Sequence, residues 1–240
     1  MTPGGATANG AGRITTSTLQ LFGRPVIACH ARIRPPAGLA AGPGLRLLSD
    51  EEQERCAGIE MPAGQLEFVA GRVLARRTLG RILGLPARRV PLVLDDSGRP
   101  RLAGRDGRRR ALDFNLSHSG DRVALAVGWG VRVGVDIELR VPRPAADALA
   151  RRYFSSAEND YLRRRPDARY RERWYRIWTT REANAKARGI GVRGIAAPLD
   201  GHGHAWQRRH LALPAAYAGT VVGLAPTTTI APIERTRSDG

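Results

Sequence analysis

Between residues 133 and 138 apolar or small residues and acidic ones alternate, Val-Gly-Val-Asp-Ile-Glu. A period of two predicts a strand with Val133, Val135 and Ile137 on one face and Asp136 and Glu138 on the other. Two further extended segments, 112–117 and 122–129, precede it, so three strands run in succession. Upstream, 25–33 and 90–94 read as strands, the second followed by the turn signal Asp95-Asp96-Ser97-Gly98. Two late strands fall near 205–212 and 219–225.

Helical spacing occupies the intervals. Ser49 with Glu52 forms a capping box for a short helix that carries Arg55. Pro62 then opens a longer helix whose Leu66, Val69, Val73, Leu74 and Leu79 share a face, with Arg72, Arg76 and Arg77 between them. Ser155 with Glu158 gives a second box, and a long helix runs over 169–187 before Gly189 and Gly191 end it. The order is strand, helices and strands, then the same again. It predicts an α+β fold of two similar α/β halves, 18–130 and 131–225, joined near Gly130 and related by a pseudo-twofold, although no repeat shows in the residues themselves. Residues 1–17, rich in Gly, Ala and Thr, are expected to be disordered, and 226–240 to form a flexible tail.

A chain of 240 residues, 42% apolar, can bury a sizeable core. No stretch is apolar enough to span a bilayer and the first residues do not resemble a secretory signal, so a cytoplasmic protein is expected, with no membrane partner. Cys29 and Cys56 are too few for a disulfide framework and lack zinc-type spacing with the five histidines. The net charge of +17 draws the protein towards polyanions: nucleic acid, an acidic protein or a phosphate-rich small molecule. Of the 39 basic residues one, Lys186, is lysine and the other 38 are arginine. Against that background the single ammonium stands out.

Asp136 and Glu138, side by side, raise each other's pKa, which favours a hard cation between them; a half-buried strand with a solvated polar face fits the same pattern. Trp178, Glu182 and Lys186, at i, i+4 and i+8, lie along one helix face. Glu182 and Lys186 are spaced as a surface ion pair, but lysine can also act as a compact point charge and give up a proton, which arginine does not. Asn115-Leu116-Ser117-His118-Ser119-Gly120 reads either as a polar turn or as an anion site at a strand end. Taken singly, Arg55, Arg99 and the arginine runs at 108–110 and 163–165 are solvated surface charges.

Together these stretches resemble the 4′-phosphopantetheinyl transferases of the large single-chain class that activates peptide and polyketide synthases. The resemblance rests on Phe-Asn-Leu-Ser-His-Ser-Gly at 114–120, Gly-Val-Asp-Ile-Glu at 134–138 and Trp-Thr-Thr-Arg-Glu-Ala-Asn-Ala-Lys-Ala-Arg-Gly-Ile-Gly at 178–191, with Phe154-Ser155 and Glu158 between. Weaker support comes from Glu51 to Arg55, Ala70-Gly71-Arg72 and Gly98-Arg99-Pro100. The resemblance implies transfer of the phosphopantetheine arm of coenzyme A to a serine of an acyl or peptidyl carrier protein, with release of adenosine 3′,5′-bisphosphate.

Matched residue by residue, it implies Asp136, Glu138 and Glu182 as ligands of Mg²⁺, with Mn²⁺ as the alternative ion. Glu182 is implied as the base and Lys186 as the group on the α-phosphate. Ser117 and His118 are implied at the coenzyme phosphates, Arg55 at the 3′-phosphate, Arg99 beside the adenine or its ribose phosphate, and Arg72 as a further phosphate contact. Arg99 and Arg181 stand where many relatives have lysine. Acidic carrier proteins suit the basic chain, and a monomer is expected to suffice. A nucleic-acid-binding module is the rival reading of the charge, but no recognisable nucleic-acid motif supports it, so no nucleic-acid partner is expected.

Overall fold

A computed structural model describes residues 13–33, 44–104, 111–164, 169–199 and 205–225. The chain opens on an antiparallel pair, β1 (Thr15–Leu21) and β2 (Arg24–Arg32). β1 begins inside the 1–17 segment expected to be disordered. It is mostly exposed and held by backbone pairing with β2, so no apolar period marked it. Residues 1–12, the tail 226–240 and the arginines at 108–110 lie outside the described residues.

Helices α1 (Asp50–Ala57) and α2 (Pro62–Leu83) follow, then a small hairpin of β3 (Leu92–Leu94) and β4 (Pro100–Leu102). Three longer strands come next: β5 (Leu112–Ser119), β6 (Arg122–Trp129) and β7 (Arg132–Leu139). Helices α3 (Ala146–Tyr153), α4 (Ser156–Arg163) and α5 (Tyr170–Arg188) lead to β8 (Trp206–His210) and β9 (Tyr217–Leu224). One sheet has the order β1-β2-β6-β5 and the other β7-β9-β8, both antiparallel, so the fold is α+β as expected.

The apolar residues dictate four layers. Val73, Leu74 and Leu79 of α2 cover one face of the first sheet, against Phe114, Leu125 and Val127. Its other face offers Leu21, Val26, Ala28, Ala124 and Ala126 to Val133, Val135 and Ile137 of β7. Those three are at most 1% exposed, and burying each contributes roughly 1.5–3 kcal/mol. Beyond the second sheet lies α5, which buries Trp174, Tyr175 and Trp178 against α3 and α4 and Ala183 and Ala187 against β9.

Both predicted capping boxes form. Glu52 N donates to Ser49 Oγ at 3.3 Å and Glu158 N to Ser155 Oγ at 3.3 Å. Each capping glutamate also accepts from a buried arginine on the longer helix that follows: Arg76 Nε to Glu52 at 2.7 Å, and Arg181 Nε to Glu158 at 2.9 Å. Each arginine then reaches carbonyls just beyond its own helix, Arg76 at Ala87, Arg88 and Val90, Arg181 at Ile195 and Ala197. The same device therefore fixes a short helix to a long one on either side of Gly130. Arg181, 3% exposed, is occupied in this way and not placed for phosphate.

The seam between the sheets is unusual. β7 pairs with β9 along one edge, and the N–H groups of its other edge need acceptors. β5 supplies them from side chains. Val133 N donates to Asp113 Oδ2 (2.8 Å), Val135 N to Asn115 Oδ1 (2.9 Å), Ile137 N to Ser117 Oγ (3.2 Å) and Leu139 N to Ser119 Oγ (3.0 Å). Small residues allow the approach: a Cβ on Gly128 of β6 would sit 2.7 Å from Val133 Cγ1. On the far face of β7 a Cβ on Gly134 would lie 2.0 Å from Ala183 O and 2.5 Å from Ala187 N. The backbone of α5 therefore rests directly on β7, which sets the height and rotation of the helix.

Gly134→Ala is expected to destabilise the protein by about 3 kcal/mol or more, because the clash is with backbone on both sides. Gly71→Ala in α2, whose added Cβ would meet only ordinary contacts at 3.8 Å and 3.9 Å, should be neutral or stabilising by up to about 1 kcal/mol. Urea unfolding of the two variants checks the contrast.

Candidate functional site

The seam that orders β7 also brings the acidic residues together. Asp136 and Glu138 project from β7 on the face opposite Val135 and Ile137, towards α5, where Glu182 and Lys186 occupy successive turns. One carboxylate oxygen of each of Asp136, Glu138 and Glu182 lies within 4.8 Å of the others. Lys186 Nζ donates to Asp136 Oδ1 at 2.6 Å and to Ser117 Oγ at 3.0 Å, and stands 3.9 Å from Glu182 Oε2. Ser117, already a rung of the seam, donates its own proton to Asp136 Oδ1 at 3.0 Å.

Glu138 is held from three sides. Ser119 Oγ donates to its Oε2 at 2.9 Å, Arg143 Nη2 to the same oxygen at 3.4 Å, and Trp178 Nε1 to Oε1 at 3.2 Å. Arg143 in turn lies over the rings of Trp174, Tyr175 and Trp178, 5.6–5.9 Å from their centroids, and donates to Tyr175 Oη at 3.1 Å. Cation–π contact of this kind adds to the fixed orientation of the guanidinium.

Electrostatically the cluster is short of positive charge. Burial, then Asp136, pushes the Glu138 carboxyl above its ordinary value. Glu182 is pushed up to about 8, first by burial and then by Asp136, with Lys186 pulling the other way. Asp136 is 2% exposed, and its Oδ2 is buried without a hydrogen bond. Three carboxylates, one with an orphaned oxygen, are the donor set that a hard divalent cation takes. The residues present fit such an ion, held by Asp136, Glu138 and Glu182.

The remaining sequence-predicted residues are placed differently. Ser117 and His118 are adjacent on β5 and so face opposite ways; His118 is exposed, with Nδ1 3.2 Å from Glu67 of α2. Arg72 is 8% exposed and 3.2 Å from Glu52; burial first, then Arg55 and Arg76, lower its pKa, so exposed Arg55 is its electrostatic neighbour. These arginines gather at the α1–α2 end. Arg99 is buried, and its guanidinium is occupied by Asp113 and three backbone carbonyls, so it is not free for the adenine or ribose phosphate that the sequence suggests. Sequence reasoning missed Ser119 and Arg143, which hold Glu138. Ser119 carried a usable signal, its two-residue offset from Ser117.

Known proteins resemble this chain in sequence. Residues 132–214 match the 4′-phosphopantetheinyl transferase superfamily, and 43–129 match the family described as 4′-phosphopantetheinyl transferase, N-terminal. The 4′-phosphopantetheinyl transferase HetI of Nostoc sp. is 34% identical over 145 residues, 60% of this chain and 61% of that protein. AcpT of Salmonella typhimurium, named a 4′-phosphopantetheinyl transferase, is 37% identical over 123 residues, 51% of this chain and 58% of that one. The chain belongs to the 4′-phosphopantetheinyl transferase superfamily. It spans about three fifths of the length of these relatives. Among the described residues no helix is long and apolar enough to cross a membrane.

With the Glu182 carboxyl pushed up to about 8, uptake of a divalent cation at pH 7 should release about one proton, and affinity should rise as pH increases from 4.5 towards 8. Calorimetry in two buffers of different ionisation enthalpy measures the release. Glu182→Gln should bind more weakly and release none; equal proton release by parent and variant would contradict the assignment.

Proposed function

We propose that this chain is a magnesium-dependent 4′-phosphopantetheinyl transferase that moves the phosphopantetheine arm of coenzyme A onto a serine of an acidic acyl or peptidyl carrier protein. The observation that supports this reading is the meeting of Asp136, Glu138 and Glu182 around a buried, unpartnered carboxylate oxygen, with Lys186 beside them. Membership of the superfamily supplies the substrate class. A single chain in the cytoplasm is the form proposed to act, with Mn²⁺ able to replace Mg²⁺ and the coenzyme lying in the cleft between 18–130 and 131–225.

In the transfer, the serine oxygen forms a bond to the phosphorus that bears the pantetheine, and the pyrophosphate P–O bond on the nucleotide side breaks. Its electron pair leaves on adenosine 3′,5′-bisphosphate. Glu182 is the proposed acceptor of the serine proton. Lys186, with two of its three donors on Asp136 and Ser117, turns the third to the phosphate and stabilises the charge that grows on the departing oxygen. A bound divalent ion would neutralise phosphoryl charge and orient the diphosphate. Asp136 and Ser117 hold Lys186, while Ser119, Trp178 and Arg143 hold Glu138, so little reorganisation remains for the reacting state. Ser117, Arg55 and Arg72 are the proposed phosphate contacts, with His118 requiring a ring movement away from Glu67 to join them. Arg99 drops out of that set.

Mass spectrometry of an apo-carrier protein mixed with coenzyme A and Mg²⁺ tests the reading. The carrier should gain one phosphopantetheine, and chelator should stop the gain. Asp136→Ala, Glu182→Gln and Lys186→Ala should each slow it by 100-fold or more, the order of loss seen when charge-stabilising groups are removed. Near-parent rates in all three would overturn the proposal.

A further inference from the structure

Arg99 lies where the hairpin, both sheets and the end of α5 come together. It closes the turn built by Asp95, whose Oδ1 accepts from Ser97 N and Arg99 N, each at 3.0 Å. From that anchored backbone its side chain enters the seam and is 8% exposed. Nη2 donates to the Asp113 carboxylate at 2.9 Å and 3.1 Å and to the carbonyls of Phe114 and Val133, both at 2.9 Å. Nη1 donates to the carbonyl of Lys186.

That last contact gives the cluster its meaning. Lys186 O belongs to the final turn of α5, where it also accepts from the capping Gly189 N at 3.2 Å and where the helix dipole favours a second, cationic donor. The strands that Arg99 grips, β5 and β7, are the ones that carry Ser117 and Asp136, the two groups bound by Lys186 Nζ. Arg99 thus ties the main chain of Lys186 to the frame that receives its side chain. A four-carbon stem can place its ammonium in many positions, so the backbone end must be fixed for the 2.6 Å contact with Asp136 to be the populated one.

We infer that Arg99 is a positioning residue for Lys186 and not a coenzyme contact. The inference rests on the transfer reading for its kinetic consequence, whereas the placement itself can be read without substrate. Lys186 is the sole lysine of the chain, so protein labelled with ¹³C-lysine gives one lysine side-chain signal.

Two variants are compared with the parent: Arg99→Gln, and Arg99→Gln combined with Asp113→Asn, which avoids leaving a buried carboxylate unpaired. In both, the Lys186 methylene signals should move towards those of free lysine and lose their relaxation signature of a fixed side chain. kcat for carrier modification should fall about 100-fold, the scale of a misplacement of about 1 Å, while KM for coenzyme A stays within about twofold. A KM rise of tenfold or more with an unchanged lysine signal would make Arg99 a coenzyme contact and overturn the inference. So would variants that lose thermal stability while signal and kcat per folded molecule stay at parent values. Should the parent itself show no transfer, the transfer reading fails, and the NMR comparison alone decides the placement.

Discussion

Four hydrogen bonds from the N–H groups of β7 to the side chains of Asp113, Asn115, Ser117 and Ser119 decide how the two sheets meet. Backbone pairing would have merged β5 and β7 into one sheet. Side-chain acceptors hold β7 over the face of β5 and still leave no edge N–H of these residues unpaired. Each bond adds only about 1 kcal/mol net, but losing one would leave a buried donor unsatisfied at roughly 1–3 kcal/mol. The register also has a functional side. The hydroxyls that accept from Ile137 and Leu139 donate to Asp136 and Glu138, so the contacts that seat the strand also aim its acids.

The second constraint is the bare backbone at Gly134. With α5 in contact there, Glu182 and Lys186 cannot rise away from Asp136, and the arginine at 181 pins the same helix to Glu158 and to the carbonyls of Ile195 and Ala197. The helix is buried on most sides despite a polar sequence because its arginines and threonines find partners: Thr179 Oγ1 lies 2.8 Å from Thr220 Oγ1 of β9. A cluster of like charges can persist under these conditions because the packing that surrounds it does not depend on the acids attracting one another.

How far the sequence could be read follows from the range of each signal. The period of two through Asp136 and Glu138 and the four-residue steps from Trp178 to Lys186 are local, and they survive folding unchanged. The capping boxes are local as well. Arg99 taken singly reads as a surface cation because an arginine's partners are set by tertiary contacts: it and Arg181 are buried clamps in the fold. The polar residues of β5 were visible too, but they read as a polar turn or an anion site, since nothing in one strand announces that another strand's edge will cover it. Strict alternation separates Ser117 from His118, a consequence that the motif resemblance obscured. β1 is the opposite case, an edge strand with almost no apolar residue turned inward, which only its partner β2 reveals. The shared device of capped helix, glutamate and distant arginine went unseen because its parts are more than twenty residues apart.

The account stands on a divalent cation shared by Asp136, Glu138 and Glu182. Anomalous diffraction from crystals grown with Mn²⁺ and coenzyme A measures this directly. One strong peak bounded by these three carboxylates is expected, with Lys186 still beside Asp136. A peak at any other acidic cluster, or a diphosphate bound with no ion at these three residues, would contradict it.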